Sequence, residues 1–224
     1  GTDRSGAEPV AVPANGQGAL MPGPAERDVA YLRDVQYRDS TEVAKRANLH
    51  VVYRTAPQAG FDWFAAQLPW RPGLRVLDVG CGPGYLWERV AEVAPPAMHL
   101  TLVDLSVGMV DEACQRARAT GRYASVDGQS SDARDLPFPE ESFDVVVSTY
   151  ALYHVPDPSL AVAELARVAR QDGVVAVMTN GPGHLAEIQA VRVAVFGPSA
   201  AYDVNHTFRP ALAALFFRPP NETV

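Results

Sequence analysis

Between residues 74 and 179 the chain alternates short apolar runs with longer stretches in which apolar positions recur every three or four residues. The runs Leu74 to Val79, Met98 to Asp104, Phe143 to Thr149 and Val174 to Thr179 read as strands, and a weaker, polar one lies near Ala124 to Ser131. The stretches between them predict helices over about Gly84 to Ala94, Val107 to Thr120, Pro158 to Arg170 and Gly183 to Val195, with Asp172-Gly173 as a helix-to-strand stop. Strand and helix in alternation is the signature of a parallel sheet covered on both faces, so the expected fold class is α/β, a doubly wound, mostly parallel sheet. Upstream, from about Glu26 to Leu68, the period is helical at Val29, Leu32 and Val35, at Val43, Ala47 and Val51, and at Phe61, Phe64 and Leu68. The cluster Pro69, Pro72 and Gly73 then breaks helix and introduces the first strand.

The two ends read differently. Residues 1–24 are rich in Gly and Pro, lack a period, and are expected to be a flexible leader, since they offer little apolar surface to offset their ordering entropy. Beyond Phe196 a short helix over Arg209 to Phe216 is expected, and only a fragment of a further strand fits, so the C-terminal strands of the sheet read as incomplete and the C-terminus as truncated. The resulting division is 1–24, a helical segment 25–70, and an α/β domain 71–224.

Composition narrows the class. With 47% hydrophobic and 20% charged residues the chain reads as an ordinary globule, and no stretch approaches the ~18 consecutive apolar residues of a membrane helix. No secretory signal is legible near the start, so a cytoplasmic location is expected and a membrane partner is not. A net charge of -7 without clustered Lys and Arg argues against a nucleic-acid partner and favours small-molecule chemistry, in a monomer or homodimer. Cys81 and Cys114 have no metal-ligand spacing, so two reduced thiols and no metal are expected.

Gly80, Gly82 and Gly84 follow the first strand and precede a helix, where glycines permit positive φ and close approach of a ligand to backbone. The spacing is G-x-G-x-G. The dinucleotide fingerprint would place its third glycine at position 85, which is Tyr, so a ligand without a pyrophosphate is favoured. Asp104 ends the second strand 20 residues after Gly84, at the distance where a carboxylate accepts ribose hydroxyls.

The chain resembles the class I S-adenosylmethionine-dependent methyltransferases, specifically the small-molecule group that includes ubiquinone/menaquinone methyltransferases. The resemblance runs over residues 74–180. It rests on Val76-Leu-Asp-Val-Gly-Cys-Gly-Pro-Gly84, Leu102-Val-Asp-Leu-Ser106 with Gly108-Met109, Ser131-Asp-Ala-Arg-Asp-Leu-Pro-Phe-Pro139, Ser142-Phe-Asp-Val-Val-Val-Ser148, Ala151-Leu-Tyr-His-Val-Pro-Asp157 and Leu165 to Gly173. It implies a Rossmann-like fold, with S-adenosylmethionine as cofactor and 25–70 as an N-terminal helical lid. Carried across by position, it sets Asp78 and the Gly80, Cys81, Gly82 and Gly84 backbone against the methionine part, with Asp104 on the ribose. Leu105 and Met109 would wall the adenine. Asp132 would accept from its exocyclic amine, the Ala133 amide would donate to its ring, and Ser148 would lie near the methionine. In the lid, Tyr37 would cover the sulfonium and Arg46 would pair with the methionine carboxylate. Tyr150, Tyr153 and His50 would edge the substrate cavity.

Several roles stay open at this level. Asp78 either faces the ligand or orients the loop through its amides, and Asp132 either binds adenine or caps a turn. His154 is the candidate catalytic residue, because it follows the fourth strand and an imidazole is suited to accepting a proton near neutrality, yet it also suits a structural place before Pro156. Cys81 reads as a small loop filler. The expected function is methyl transfer to an oxygen, nitrogen or carbon nucleophile of a small, biosynthetic acceptor. The alternatives are an S-adenosylmethionine-binding fold with a non-methylating reaction, a nicotinamide dehydrogenase, and a non-catalytic binding role.

Overall fold

A computed structural model describes residues 37–54, 56–181 and 214–217, together with residues 30, 190–191, 193–195 and 197. The elements in chain order are α1 (Thr41–Tyr53), α2 (Gly60–Gln67), β1 (Arg75–Val79), α3 (Tyr85–Val93), β2 (His99–Asp104), α4 (Val107–Ala119) and β3 (Ser125–Ser130). They continue with β4 (Phe143–Thr149), a 3-10 turn (Leu152–His154), α5 (Pro158–Val168), β5 (Ala169–Met178) and β6 (Ala214–Phe217). The expected leader, residues 1–24, lies outside the described residues.

The sheet order is β3-β2-β1-β4-β5-β6, with the first five strands parallel and β6 antiparallel to β5. The pairing Asp78↔Val147 joins β1 to β4, where the winding reverses. That switch point opens a crevice at the carboxyl ends of the two strands, the place where such sheets take ligands.

The inner strands β1, β4 and the second half of β5 are apolar at nearly successive positions because both faces are covered, and the alternation sorts their side chains into two cores. Val76, Leu100, Leu102, Val145, Val147 and Ala176 face one core, with Phe64, Trp87, Val90 and Ala113 contributed by α2, α3 and α4. Leu77, Val79, Val103, Val146, Val175 and Val177 face the other, under Ala161, Leu165 and Val168 of α5. Trp87 is fully buried, so truncation to Ala would cost about 3–5 kcal/mol. Caps set two of the helix starts. Ser106 Oγ accepts from the Met109 amide ahead of α4, and Asp157 accepts from the Ser159 amide with Pro158 opening α5.

Two elements depart from the sequence pattern. The helix expected to reach Arg170 ends at Val168, and β5 begins at once, with Ala169 extended at φ -77 and ψ 141 and paired to Phe143. Asp172-Gly173 is therefore not a helix stop. It lies within β5 in a bulge, between the pairs Phe143↔Ala169 and Val145↔Val174. A Cβ at Gly173 would come within 3.0 Å of the Asp144 carbonyl oxygen, which is why the bulge takes glycine. The second departure is Arg209 to Phe216, expected helical. Ala214–Phe217 instead pairs with Val175 to Met178, where Ala-Leu-Phe-Phe gains a strand partner that a short helix would not offer. Within the expected helix Gly183 to Val195, residues 190–191 and 193–195 are helical and the rest lies outside the described residues.

Candidate functional site

At the end of β1 the chain turns through Gly80, Gly82 and Gly84, with φ of 77°, 51° and 82°. Two of the three are demanded by the protein's own packing. A Cβ at Gly80 would sit 2.3 Å from Ala151 Cβ, and one at Gly84 would sit 2.8 Å from Ala113 Cα, whereas Gly82 faces open space. The amides of the loop are committed. Gly80 and Cys81 donate to the Val103 carbonyl at 2.7 and 3.0 Å, Gly84 donates to the Cys81 carbonyl at 3.1 Å, and Gly82 donates to Asp104 Oδ2 at 3.0 Å.

Asp104 thus orients the loop. Its other oxygen accepts from the Ser106 amide at 3.0 Å, so the half-buried carboxylate bridges the loop and the start of α4. Burial raises its pKa while those amides oppose the rise. A carboxylate has about four lone-pair sites, so two single contacts leave capacity for a diol.

Asp78 does not perform that orienting role. Its Oδ2 accepts from Trp87 Nε1 at 2.8 Å, while its fully buried Oδ1 has no partner. Burial pushes its pKa up from 3.8 to about 7, the Trp87 N–H resists, and the Asp104 charge adds to the rise. Ser148 Oγ, at the end of β4, is also buried without a partner, as is Thr179 Oγ1 just after β5. Buried polar atoms are rarely left so; all three lie toward the carboxyl ends of their strands, Asp78 on the face that carries Trp87, and Ser148 and Thr179 on the face under α5.

The other side chains named from sequence distribute as follows. Leu105 is half-buried, and Met109 is 1% exposed on the inner side of α4. Asp132 is turned toward Arg134: Oδ1 accepts from the Arg134 amide at 2.9 Å and the guanidinium closes on both oxygens at 2.7–3.2 Å. This is the geometry of a turn cap, and the Arg134 contact holds the carboxyl below its ordinary pKa. Ala133 is half-buried against the α5 core. Cys81 is buried, with its thiol pushed well above the ordinary range by burial, which fits a filler and not a nucleophile.

Tyr150 directly follows β4 at φ 55°, a costly place for an aromatic residue. Its ring meets Phe61 of α2 edge-on at 5.6 Å, and a Cβ at Gly60 would come within 2.8 Å of its hydroxyl. Tyr153 lies 4.4 Å from the His154 ring. Tyr37 is brought to the same place from the N-terminal segment, its hydroxyl 2.9 Å from His154 Nε2. That pairing takes the Tyr37 hydroxyl toward His154, a partner the sequence did not foresee. Arg46 and His50 fall on α1, but their side chains lie outside the described residues. Among the described residues no group of three or more His, Cys, Asp or Glu could hold a metal ion, and no helix is long and apolar enough to cross a membrane.

Residues 77–177, from β1 to β5, match the family model described as a methyltransferase domain. Over these residues the chain is similar to methyltransferase domains. The curated relatives agree. The chain is 33% identical over 132 residues to the ubiquinone/menaquinone biosynthesis C-methyltransferase UbiE of Rhizobium meliloti, covering 59% of this chain and 49% of that protein. It is 33% identical over 127 residues to the 2-phytyl-1,4-naphtoquinone methyltransferase of Synechococcus elongatus, covering 57% and 53%. The chain thus spans about half the length of the curated relatives it matches. Among solved structures, the (4+2) cyclase SpnF superposes with a TM-score of 0.55 at 25% identity, covering 72% of this chain and 62% of that one. A SAM dependent methyltransferase from Aquifex aeolicus gives a TM-score of 0.52 at 19% identity, over 64% and 73%, a likeness of fold.

Residues 38–40 of the N-terminal segment are seated on α4. The Arg38 carbonyl accepts from Ser106 Oγ at 3.2 Å, and the Ser40 amide donates to Glu112 Oε1 at 3.2 Å. Sequence reasoning missed this seat. Its signal was Gly108, since a Cβ there would fall 2.2 Å from the Arg38 carbonyl oxygen.

Proposed function

We propose that the protein transfers the methyl group of S-adenosylmethionine to a small biosynthetic acceptor. The observation that carries the reading is Asp78 Oδ1, a buried carboxylate oxygen with no protein partner beside a loop whose amides are spent. Such a pocket suits a cation, and the ammonium of S-adenosylmethionine is one. Asp104 holds the ribose with its remaining lone pairs, Leu105 and Met109 flank the adenine, and Ser148 meets the methionine part. Asp132 serves the adenine amine while shared with Arg134, and the Ala133 amide serves the ring. Arg46 is assigned to the methionine carboxylate.

When bound, the cofactor supplies a methyl group already activated by the sulfonium charge. The protein's contribution is to hold the acceptor nucleophile in line and exclude water, which for oriented reactions is worth on the order of 7–11 kcal/mol. Tyr150, Tyr153 and His50 edge the acceptor, and His154 takes the proton where the nucleophile carries one. The names of the quinone-pathway relatives support a panel of hydroquinones and naphthoquinols as first acceptors.

Calorimetric titration with S-adenosylmethionine tests the reading. Wild type binds and Asp104→Ala binds at least about tenfold more weakly, the loss of one charge-assisted contact. Unaltered affinity in a folded Asp104→Ala protein refutes the ribose role, and absence of binding to wild type refutes the function. A second reading, that the domain binds the cofactor and catalyses a non-methylating reaction, is favoured by the likeness to the cyclase SpnF. It predicts conversion of an acceptor without release of S-adenosylhomocysteine.

A further inference from the structure

His154 stands on the 3-10 turn after β4, and what holds it is a residue 117 positions earlier. The Tyr37 hydroxyl lies 2.9 Å from Nε2, and the rings meet edge-on at 5.0 Å between centroids. Tyr37 immediately precedes the segment seated on α4. The seat has three parts, the Ser106 hydroxyl on the Arg38 carbonyl, the Glu112 carboxylate on the Ser40 amide, and the absence of a side chain at Gly108 that lets the Arg38 carbonyl lie against the helix. Ser106 is also the residue whose amide binds Asp104, and Asp104 binds Gly82. A continuous line of contacts therefore runs from the glycine loop through Asp104 and Ser106 to Arg38, and by one peptide to Tyr37 and His154.

We propose that Tyr37 is a positioning residue for His154. Its hydroxyl fixes the tautomer and tilt of the imidazole, and it does so only when the segment 38–40 is seated on α4. A neutral imidazole has one donor and one acceptor nitrogen, and the hydrogen bond on one decides the character of the other. With the phenol oxygen accepting from Nε2–H, the ring is held in the tautomer whose Nδ1 carries the accepting lone pair. The seat at Gly108 and Ser106 sets this geometry because it fixes where the Tyr37 backbone can be. This inference rests on the reading of His154 as proton acceptor given above, but its first test needs neither cofactor nor acceptor.

The test is ¹⁵N NMR of the histidine rings in the full chain, with His154 among the five histidines assigned by its loss in His154→Gln. In wild type His154 should show the Nε2–H tautomer as its predominant neutral form, and a predominant Nδ1–H tautomer overturns the proposal. Tyr37→Phe, which keeps the ring and removes the hydroxyl, should give the averaged shifts of a mixed population. Gly108→Ala, which displaces the Arg38 carbonyl, should move His154 in the same direction, and Glu112→Ala serves where Gly108→Ala does not fold. His154 shifts unaltered in Tyr37→Phe overturn the proposal. A response to Tyr37→Phe but to neither seat variant overturns the part played by the segment. In turnover of an acceptor found with the panel, Tyr37→Phe should lower kcat about tenfold, less than the ~10²–10⁴ of a general base itself because the imidazole remains, with KM for S-adenosylmethionine held. A change confined to KM overturns the positioning role. If S-adenosylmethionine fails to bind wild type while the NMR response appears, the functional reading falls and the Tyr37–His154 coupling stands.

Discussion

Replacing Asp78 by Asn asks the protein to give up its most displaced carboxyl while keeping the shape of the side chain. In the folded chain the pKa stands at about 7, raised first by burial and then by the Asp104 charge against the pull of the Trp87 N–H, and in the unfolded chain it returns to about 3.8. A group raised on folding contributes stability that is fully present below its unfolded value and is lost as pH rises through its folded value. At 1.36 kcal/mol per unit, the three-unit displacement is on the order of 4 kcal/mol, of which about half has gone by pH 5.5 and all by pH 8.5. Asn carries no charge at either pH and loses none of it. Its buried amide nitrogen lacks a partner in the place of Oδ1, a pH-independent cost of about 1–3 kcal/mol. The difference between Asp78→Asn and wild type should therefore drift in favour of the variant by about 2 kcal/mol from pH 5.5 to 8.5. Urea unfolding at about pH 5.5, 7 and 8.5, read through the midpoint at constant m-value, measures the drift directly. Other titrating groups largely cancel in the difference because both proteins carry them. A stability difference flat with pH to within about 0.5 kcal/mol would refute the displaced carboxyl and, with it, the account of why Oδ1 is left for a cation.

Gly84→Ala places a side chain at φ 82° and 2.8 Å from Ala113 Cα, so it should destabilise by more than the ~1–2 kcal/mol of the left-handed conformation alone, measured by thermal unfolding. Glu164→Ala orphans the Leu136 amide and frees Arg167, which donates to the Phe138 and Leu136 carbonyls, so a loss of about 1–3 kcal/mol is expected at neutral pH. Because Arg167 holds the Glu164 carboxyl below its ordinary pKa, that advantage of wild type should be lost as pH falls through the folded value, which urea melts over an acid series would show. In a thermal-shift comparison S-adenosylmethionine at about a hundred times its Kd should stabilise by about 2.7 kcal/mol, while NAD at equal concentration should do nothing.

The parts of this fold legible from sequence were those governed by local periodicity. Strands buried on both faces gave continuous apolar runs, and the predicted Phe143 to Thr149 is the observed β4 residue for residue. The site's backbone was legible too, because a glycine forced to positive φ leaves a mark in the chain. What could not be read depends on contacts between distant residues. The bulge at Asp172-Gly173 is set by the neighbouring Asp144 carbonyl, and β6 exists only because β5 offers an unpaired edge. Tyr37 was named as a cover for the sulfonium because an aromatic ring in a lid suits a cation, but its hydroxyl goes to His154, 117 residues away. Whether Asp78 orients the loop was likewise a question of which carboxylate the Gly82 amide could reach, and the one it reaches is Asp104.

That last assignment changes how the glycine loop discriminates among ligands. A dinucleotide cradle works by leaving backbone N–H groups free to donate to pyrophosphate at a helix N-terminus. Here the amides of Gly80, Cys81, Gly82 and Gly84 all donate within the protein, and the groups flanking the loop are two carboxylates, one fully buried with an oxygen unpartnered. Burial first, and after it the Asp104 charge, raise the pKa of Asp78. A diphosphate brought to this loop would meet spent donors and further negative charge, so both terms oppose it. A ligand with a positive group at one end and a diol at the other relieves the repulsion instead, since the cation lowers the cost of ionising Asp78 and the hydroxyls take lone pairs that Asp104 has left. A preference against nicotinamide dinucleotides would then reside less in the spacing of the glycines than in where their amides are spent.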